Sequence, residues 1–470
     1  MSTHGKIPAW VQDTVFYQIF PDRFANGDAS INPANVQPWG DPPTRHGFMG
    51  GDLRGVLHHL DYLQDLGINA IYFNPIFLAA SNHRYNAFDY FQIDPKLGNL
   101  NDFHALVDAA HRAGIRIILD GVFNHCGRGF FAFSDLLENQ AESPYRDWFH
   151  VKNFPVSAYG SHKNLNYEAW WGYSSLPKFN TSNPQVRKYI MNVSRYWIEQ
   201  GADGWRLDVP NEIDDDPFWE EFRYNVRSVN PEAYLLGEIW DGNPRWVSPG
   251  HFDGLMHYPL RTSIFEYLAG KLDGAGFTSQ VQEQMSRYSQ KNVFAMYLLL
   301  GSHDTERVLT VLGGNLDKLR LAYLLLFSFP GAPAVYYGDE VGVEGGKDPD
   351  CRRAFPWDES SWNHELRAWL RQLIAHRRGS FALRRGEFIP LAQGSHGACA
   401  FARRADGHQM ITVANPSRYK AHLEIPASAL NASEGQVFTS PIDRQQIAVT
   451  DGALRLTLPP VSGNWFAVHS

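Results

Sequence analysis

Four short apolar runs, each closing on charged or imidazole side chains, restrict the folding of this chain more than any other feature. They are Ile117-Ile118-Leu119-Asp120-Gly121-Val122-Phe123-Asn124-His125, Gly204-Trp205-Arg206-Leu207-Asp208-Val209-Pro210-Asn211-Glu212, Tyr234-Leu235-Leu236-Gly237-Glu238-Ile239-Trp240-Asp241 and Tyr297-Leu298-Leu299-Leu300-Gly301-Ser302-His303-Asp304. A short apolar run bounded by glycine reads as a central strand, and residues two apart on a strand share a face. Arg206 and Asp208 therefore point the same way. Within a parallel sheet each would cost several kcal/mol unless paired or used, so they belong at a strand's carboxyl end, facing a cavity. Four strands that each deliver a carboxylate or histidine at their downstream ends imply a (β/α)8 TIM barrel, whose site lies on the C-terminal face. Four unrelated ion pairs are the alternative, and parallel strands, buried on both faces, carry few such charges.

The rest of the chain fits that α/β frame. Val15–Phe20 and Ala70–Pro75 are expected as the first two strands, with a helix over Leu53–Leu66 that stops at Gly67. Asp102 is expected to cap a helix through His111, Asn183 and Pro184 to open one through Glu199, and Asp216-Pro217 to open the next. Phe252–Tyr258 is a weaker sixth strand, Leu316–Phe329 a helix, and Ala334–Glu340 the eighth strand. A helix near Glu365–Arg378 follows, and from about residue 386 short alternating runs such as Gln409–Ala414 imply an all-β sandwich domain. The barrel thus spans 1–385 and the C-terminal domain 386–470. Residues 126–179 interrupt the barrel after its third strand, rich in aromatics, Gly, Pro and Asn. A loop that long in a compact barrel is normally functional. Its Tyr167, Trp170, Trp171 and Tyr173 serve either as a small core or as sugar-stacking surfaces.

Whole classes of function fall away on composition. A net charge of −8 does not suit a nucleic-acid surface. The 3 cysteines, Cys126, Cys351 and Cys399, are odd in number and scattered, so neither a disulfide framework nor a zinc site is indicated. No stretch reads as a signal peptide or a membrane span, which leads to an expectation of a cytoplasmic protein.

The four runs, as DGVFNH, GWRLDV, GEIW and GSHDTER, resemble in order the four signature regions of the α-amylase family, glycoside hydrolase family 13. Glu212 and Leu176-Pro177-Lys178-Phe179-Asn180 are similar to marks of its cyclomaltodextrinase, neopullulanase and maltogenic amylase group. Pro210, where that group more often has alanine, departs from the pattern, as do Leu176 and Phe179. The resemblance implies a retaining glycosidase with Asp208 as nucleophile, Glu238 as acid/base and Asp304 as the third carboxylate. Such a pair of carboxyls stands roughly 5 to 5.5 Å apart. It further implies Arg206 orienting Asp208, His125 and His303 on sugar hydroxyls, and Tyr85 stacking on the cleaved sugar. Asp348 and Arg352 would clamp the neighbouring sugar, with Trp170 and Trp171 bordering the cleft.

The same resemblance implies a structural calcium ion near Asn26, Asp28, Asn32, the Gly50 carbonyl and Asp52, with Ile31 where the family often has asparagine. No organic cofactor is implied. The expected partners are α-glucan oligosaccharides, acting on a monomer or dimer. Because the first strand starts near Val15, the extra amino-terminal β-domain of that group is absent, so a more open cleft with activity on maltooligosaccharides, cyclodextrins and starch is expected. A transglycosylase on the same glycosyl-enzyme, or an inactive sugar-binding relative, are the alternatives.

Overall fold

The computed structural model describes residues 6–159 and 165–468; residues 160–164 of the expected insert lie outside the described part. Eight parallel strands form the barrel: β1 (Phe16–Ile19), β2 (Ala70–Phe73), β3 (Arg116–Gly121), β4 (Gly204–Leu207), β5 (Tyr234–Gly237), β6 (Gly254–Leu255), β7 (Tyr297–Leu298) and β8 (Ala332–Tyr336). Their order is β6-β5-β4-β3-β2-β1-β8-β7. The two edges meet where Met256 bridges Tyr297 and the His257 N–H donates to the Tyr297 carbonyl at 2.8 Å, which closes the ring.

Period-two alternation decides what each strand shows to either side. Outward residues such as Tyr17, Ile71, Ile117, Trp205 and Leu235 pack in the large core beneath the helices. Inward residues Phe16, Tyr72, Ile118, Tyr234, Leu236 and Tyr297 fill the lumen. Asp120 and Arg206 are direct neighbours in register on β3 and β4, so the layer above the apolar plug is charged.

Several elements differ from the sequence expectation. The Leu53–Leu66 helix is two helices, Leu53–His58 and Leu60–Leu66, broken at His59 (φ −117°, ψ 21°). The helix expected to start on Asp102 begins at Leu100 and is capped by Asn99. Asp102 instead accepts the Asn99 N–H at 2.9 Å, the reciprocal half of a capping box. Strands β6 and β7 pair over two residues each. An antiparallel hairpin, Phe77–Ala79 with Ala87–Ile93, stands between β2 and the next helix.

Between β3 and the Pro184–Glu199 helix the chain forms a small layer over the barrel's C-terminal face. The Phe131–Asn139 helix packs Phe133 against Phe149 and Tyr167. Its return segment pairs back onto the end of β3: Phe179 N–H donates to Asn124 O at 3.0 Å and Cys126 N–H to Pro177 O at 3.1 Å. After the barrel, an eight-stranded antiparallel sheet folds over a core that includes Ile411, Leu423, Phe438 and Phe466. Buried Trp465 and Arg403 reach across to Ser328 at the end of the helix before β8, which fastens this domain to the barrel.

Candidate active site

One guanidinium organises the site. Arg206 is fully buried at the end of β4. Its Nη1 donates to Asp208 Oδ1 at 2.9 Å and to the Asp120 carboxylate at 3.1 and 3.2 Å. Its Nη2 lies 2.8 Å from Glu238 Oε1, an ion contact outside hydrogen-bond alignment. One cation thus faces three buried carboxyls, which arrive on adjacent strand ends β3, β4 and β5. Burial, then the nearby charges of Glu238 and Asp120, raises the Asp208 carboxyl well above the usual range, and Arg206 opposes the rise. Burial likewise raises Asp120, again against Arg206. Asp120 and Asp208 therefore hold their protons to higher pH than isolated carboxylates.

Strain marks the residue after Asp208. Val209 has φ 36° and ψ 51°, a left-handed conformation that a β-branched residue adopts only at a cost of order 1–3 kcal/mol. That turn aims its N–H at Glu238 Oε2, 3.0 Å away. Trp240 Nε1 approaches the other oxygen at 3.3 Å, and the Trp240 ring lies flat on Tyr258 at 3.7 Å. Glu238 is therefore held from both oxygens.

Asp304 stands at the mouth, with a third of its side chain exposed. His303 Nε2 lies 3.0 Å from its Oδ2, and Arg352 Nη2 donates to its Oδ1 at 3.4 Å. Burial and the charge of Glu238 push its carboxyl up to about 6. His303 Nδ1 sits 2.9 Å from Gln18 Nε2; with the amide so oriented, Nδ1 accepts and Nε2 carries the hydrogen. Burial, then Arg352 and Arg206, holds His303 neutral by lowering its proton affinity. Tyr85 donates to Asp120 at 2.8 Å, lies 2.6 Å from His303 Nε2 and stacks on that ring at 5.3 Å.

The other candidates gather around this centre. Burial pushes His125 down to about 3, and its Nε2 is buried without a hydrogen-bond partner among the described residues. Its ring stacks on Trp170 at 5.3 Å, and Trp170 stacks on Trp171 at 4.8 Å. Trp171 is 77% exposed, so the aromatic column runs from the strand end to solvent. In the same insert Tyr167 is a core residue whose hydroxyl donates to Ser174 O, whereas Tyr173 is exposed. Arg352 ties Asp348, at 2.9 Å, to Asp304 and to the His303 carbonyl.

The α-amylase catalytic-domain family description matches residues 18–373. The chain belongs to the α-amylase family. A cyclomaltodextrinase of Geobacillus thermopakistaniensis is 42% identical over 98% of this chain and 78% of its own length. Neopullulanase 2 of Thermoactinomyces vulgaris is 42% identical over 97% and 78%. The solved cyclic α-maltosyl-(1→6)-maltose hydrolase of Arthrobacter globiformis superposes with a TM-score of 0.89 at 41% identity, over 99% of this chain and 100% of that one. This α-amylase family member is therefore an enzyme, a glycoside hydrolase.

Sequence reasoning left out Asp120, Trp240 and Val209 as site residues. Asp120 and Trp240 lie inside the quoted runs, and their positions in DGVFNH and GEIW were the available signal; nothing local announces the Val209 conformation. Among the five residues named for calcium, the donors do not suit the ion. Asp52 spends its oxygens on the N–H groups of Gly27, Asp28 and Gly55. Asp28 is paired with Arg54 at 2.6 Å and with Ser30. Asn26 donates to Asn32 at 3.1 Å. Calcium wants six to eight oxygens, several of them anionic. Among the described residues no group of three or more His, Cys, Asp or Glu side chains is placed to hold a metal.

Proposed function

We propose that this protein is a retaining hydrolase of α-1,4-glucosidic bonds in maltooligosaccharides, cyclodextrins and starch. The observation that carries the reading is the single buried Arg206 contacting Asp208 at 2.9 Å and Glu238 at 2.8 Å. That arrangement suits two carboxyls that divide one proton between them. In the first step the Asp208 carboxylate attacks the anomeric carbon. The glycosidic C–O bond breaks as Glu238 gives its proton to the leaving oxygen. In the second step Glu238 takes a proton from water, whose oxygen attacks the same carbon and releases Asp208. Asp304 and neutral His303 face the hydroxyls of the reacting sugar, and unpartnered His125 Nε2 offers one further polar contact. Tyr85 closes the inner subsite, Asp348 and Arg352 clamp the next sugar, and Trp170 with Trp171 stacks on the outgoing chain.

A second reading extends the linkage range to α-1,6 bonds. It is favoured by one observation: the Arthrobacter cyclic α-maltosyl-(1→6)-maltose hydrolase superposes on this chain with a TM-score of 0.89 at 41% identity. A product time course separates the readings, run on maltoheptaose, β-cyclodextrin, pullulan, soluble starch and cyclic α-maltosyl-(1→6)-maltose, with and without added glucose. The expected result is cleavage of the first two with appreciable action on starch. Cyclodextrin cleavage without any starch activity overturns the assignment of starch as a substrate. Products longer than the substrate, dominant when glucose is added, turn the assignment to transglycosylase.

A further inference from the structure

The loop after β1 and the segment after β8 flank a shallow second recess, of about 340 Å3, outside the catalytic cluster. Two indoles, Trp39 and Trp357, and three primary amides, Asn26, Asn32 and Gln37, line it, over an apolar floor that includes Met49 and Val36. None of its seven lining residues is charged. Both indoles are held in place. Trp39 Nε1 donates to the Phe355 carbonyl at 2.9 Å, and Trp357 Nε1 to the Phe24 carbonyl at 2.6 Å. Trp357 is backed by the His59 ring, stacked at 3.7 Å, and by Phe355 at 4.3 Å. The Asn26 to Asn32 bond at 3.1 Å occupies one half of each amide.

We infer that this recess binds a neutral glucose unit of an α-glucan chain, as a site separate from catalysis. Fixed aromatic faces with primary amides and no charge suit a polyol that presents apolar C–H faces and hydroxyls that both donate and accept. An anion or a cation would find no counter-charge in such a lining. The volume lies at the small end of ligand sites, roughly 300 to 1,000 Å3, which fits one or two sugar rings. Asn26 and Asn32, whose surroundings do not suit calcium, thereby gain a role as amide clamps. The choice of α-glucan over other neutral sugars rests on the function proposed above.

The test uses the full chain carrying Asp208→Asn, so that sugar is bound and not cleaved. Isothermal titration with maltoheptaose should give two equivalents, one of them weak. Adding Trp39→Ala should reduce this to one and leave the tighter site unchanged. In the active enzyme, Trp39→Ala should raise the KM for starch about three-fold or more and leave maltotriose turnover within two-fold. Val36→Arg, which fills the recess from a half-buried position, should do the same should the tryptophan variant fold poorly. A single equivalent in the parent, or two in both recess variants, overturns the inference. So does one tightly held calcium ion per chain that Asn26→Ala removes. Failure of the catalytic reading would look different, as loss of the tighter site's binding or of cleavage itself.

Discussion

Removing the charge of Arg206 is the sharpest perturbation of the site. Arg206→Met keeps much of the length and apolar stem and deletes a guanidinium that faces three buried carboxyls. At about 3 Å and an effective dielectric near 20, one such pair is worth roughly 5 kcal/mol. Screening and relaxation cut that to about 3 to 4 kcal/mol for the Asp208 pair. The sign follows from the loss of a cation: Asp208, already raised, rises further. A larger share of it would then be protonated near neutral pH and unable to attack. We expect kcat/KM on maltoheptaose to fall by about 10²-fold at pH 7 and its acid limb to move up. Breaking buried pairs costs roughly 3–5 kcal/mol, so the melting temperature should fall, less at low pH where the carboxyls neutralise themselves. Arg206→Lys separates charge from geometry: its limb should stay near the parent's while its rate drops. The assay is a pH series of initial rates from pH 4 to 9 on all three proteins. An Arg206→Met enzyme with an unmoved acid limb, or within ten-fold of the parent at pH 7, would refute the argument.

Other outcomes are equally specific. Asp208→Asn and Glu238→Gln should each cost three or more orders of magnitude in turnover with unchanged circular dichroism, and NMR of the fresh product should show the α-anomer first. Val209→Gly should relieve the left-handed strain, raising stability by about 1 kcal/mol, while loosening the N–H that holds Glu238 and lowering kcat; a fall in melting temperature would show that the valine side chain matters more than its backbone. His125, lowered to about 3, binds protons more weakly folded than unfolded, so its contribution to stability is present above about pH 6.5 and is lost as pH falls toward 3. His125→Gln should therefore flatten the acid limb of stability relative to the parent. Buried Asp120 and Asp208, raised in the fold, act in the opposite sense, so the difference between the two proteins is the quantity to follow by thermal melts.

What the sequence determined by itself was local and periodic. The runs ending at Asp120, Asp208 and Glu238 were legible as strands because buried parallel strands need unbroken apolar stretches, and a charge at their end needs a cavity. Asn183-Pro184 announced a helix start because capping chemistry acts within one turn, and the cap is where it was expected. The structure had to decide whatever depends on partners distant in the chain. The helix break at His59, the two-residue β6 and β7 and the hairpin over Phe77–Ile93 carry no composition signal. Tertiary structure alone decided that one arginine would serve three carboxyls, since the strand register that sets Asp120 beside Arg206 is a contact across 86 residues. It also decided that Asp28 and Asp52 are spent on Arg54 and on backbone N–H groups. A row of Asn, Asp and Gly reads alike in sequence whether its oxygens face an ion or the chain itself, because only folding settles which donors reach them first.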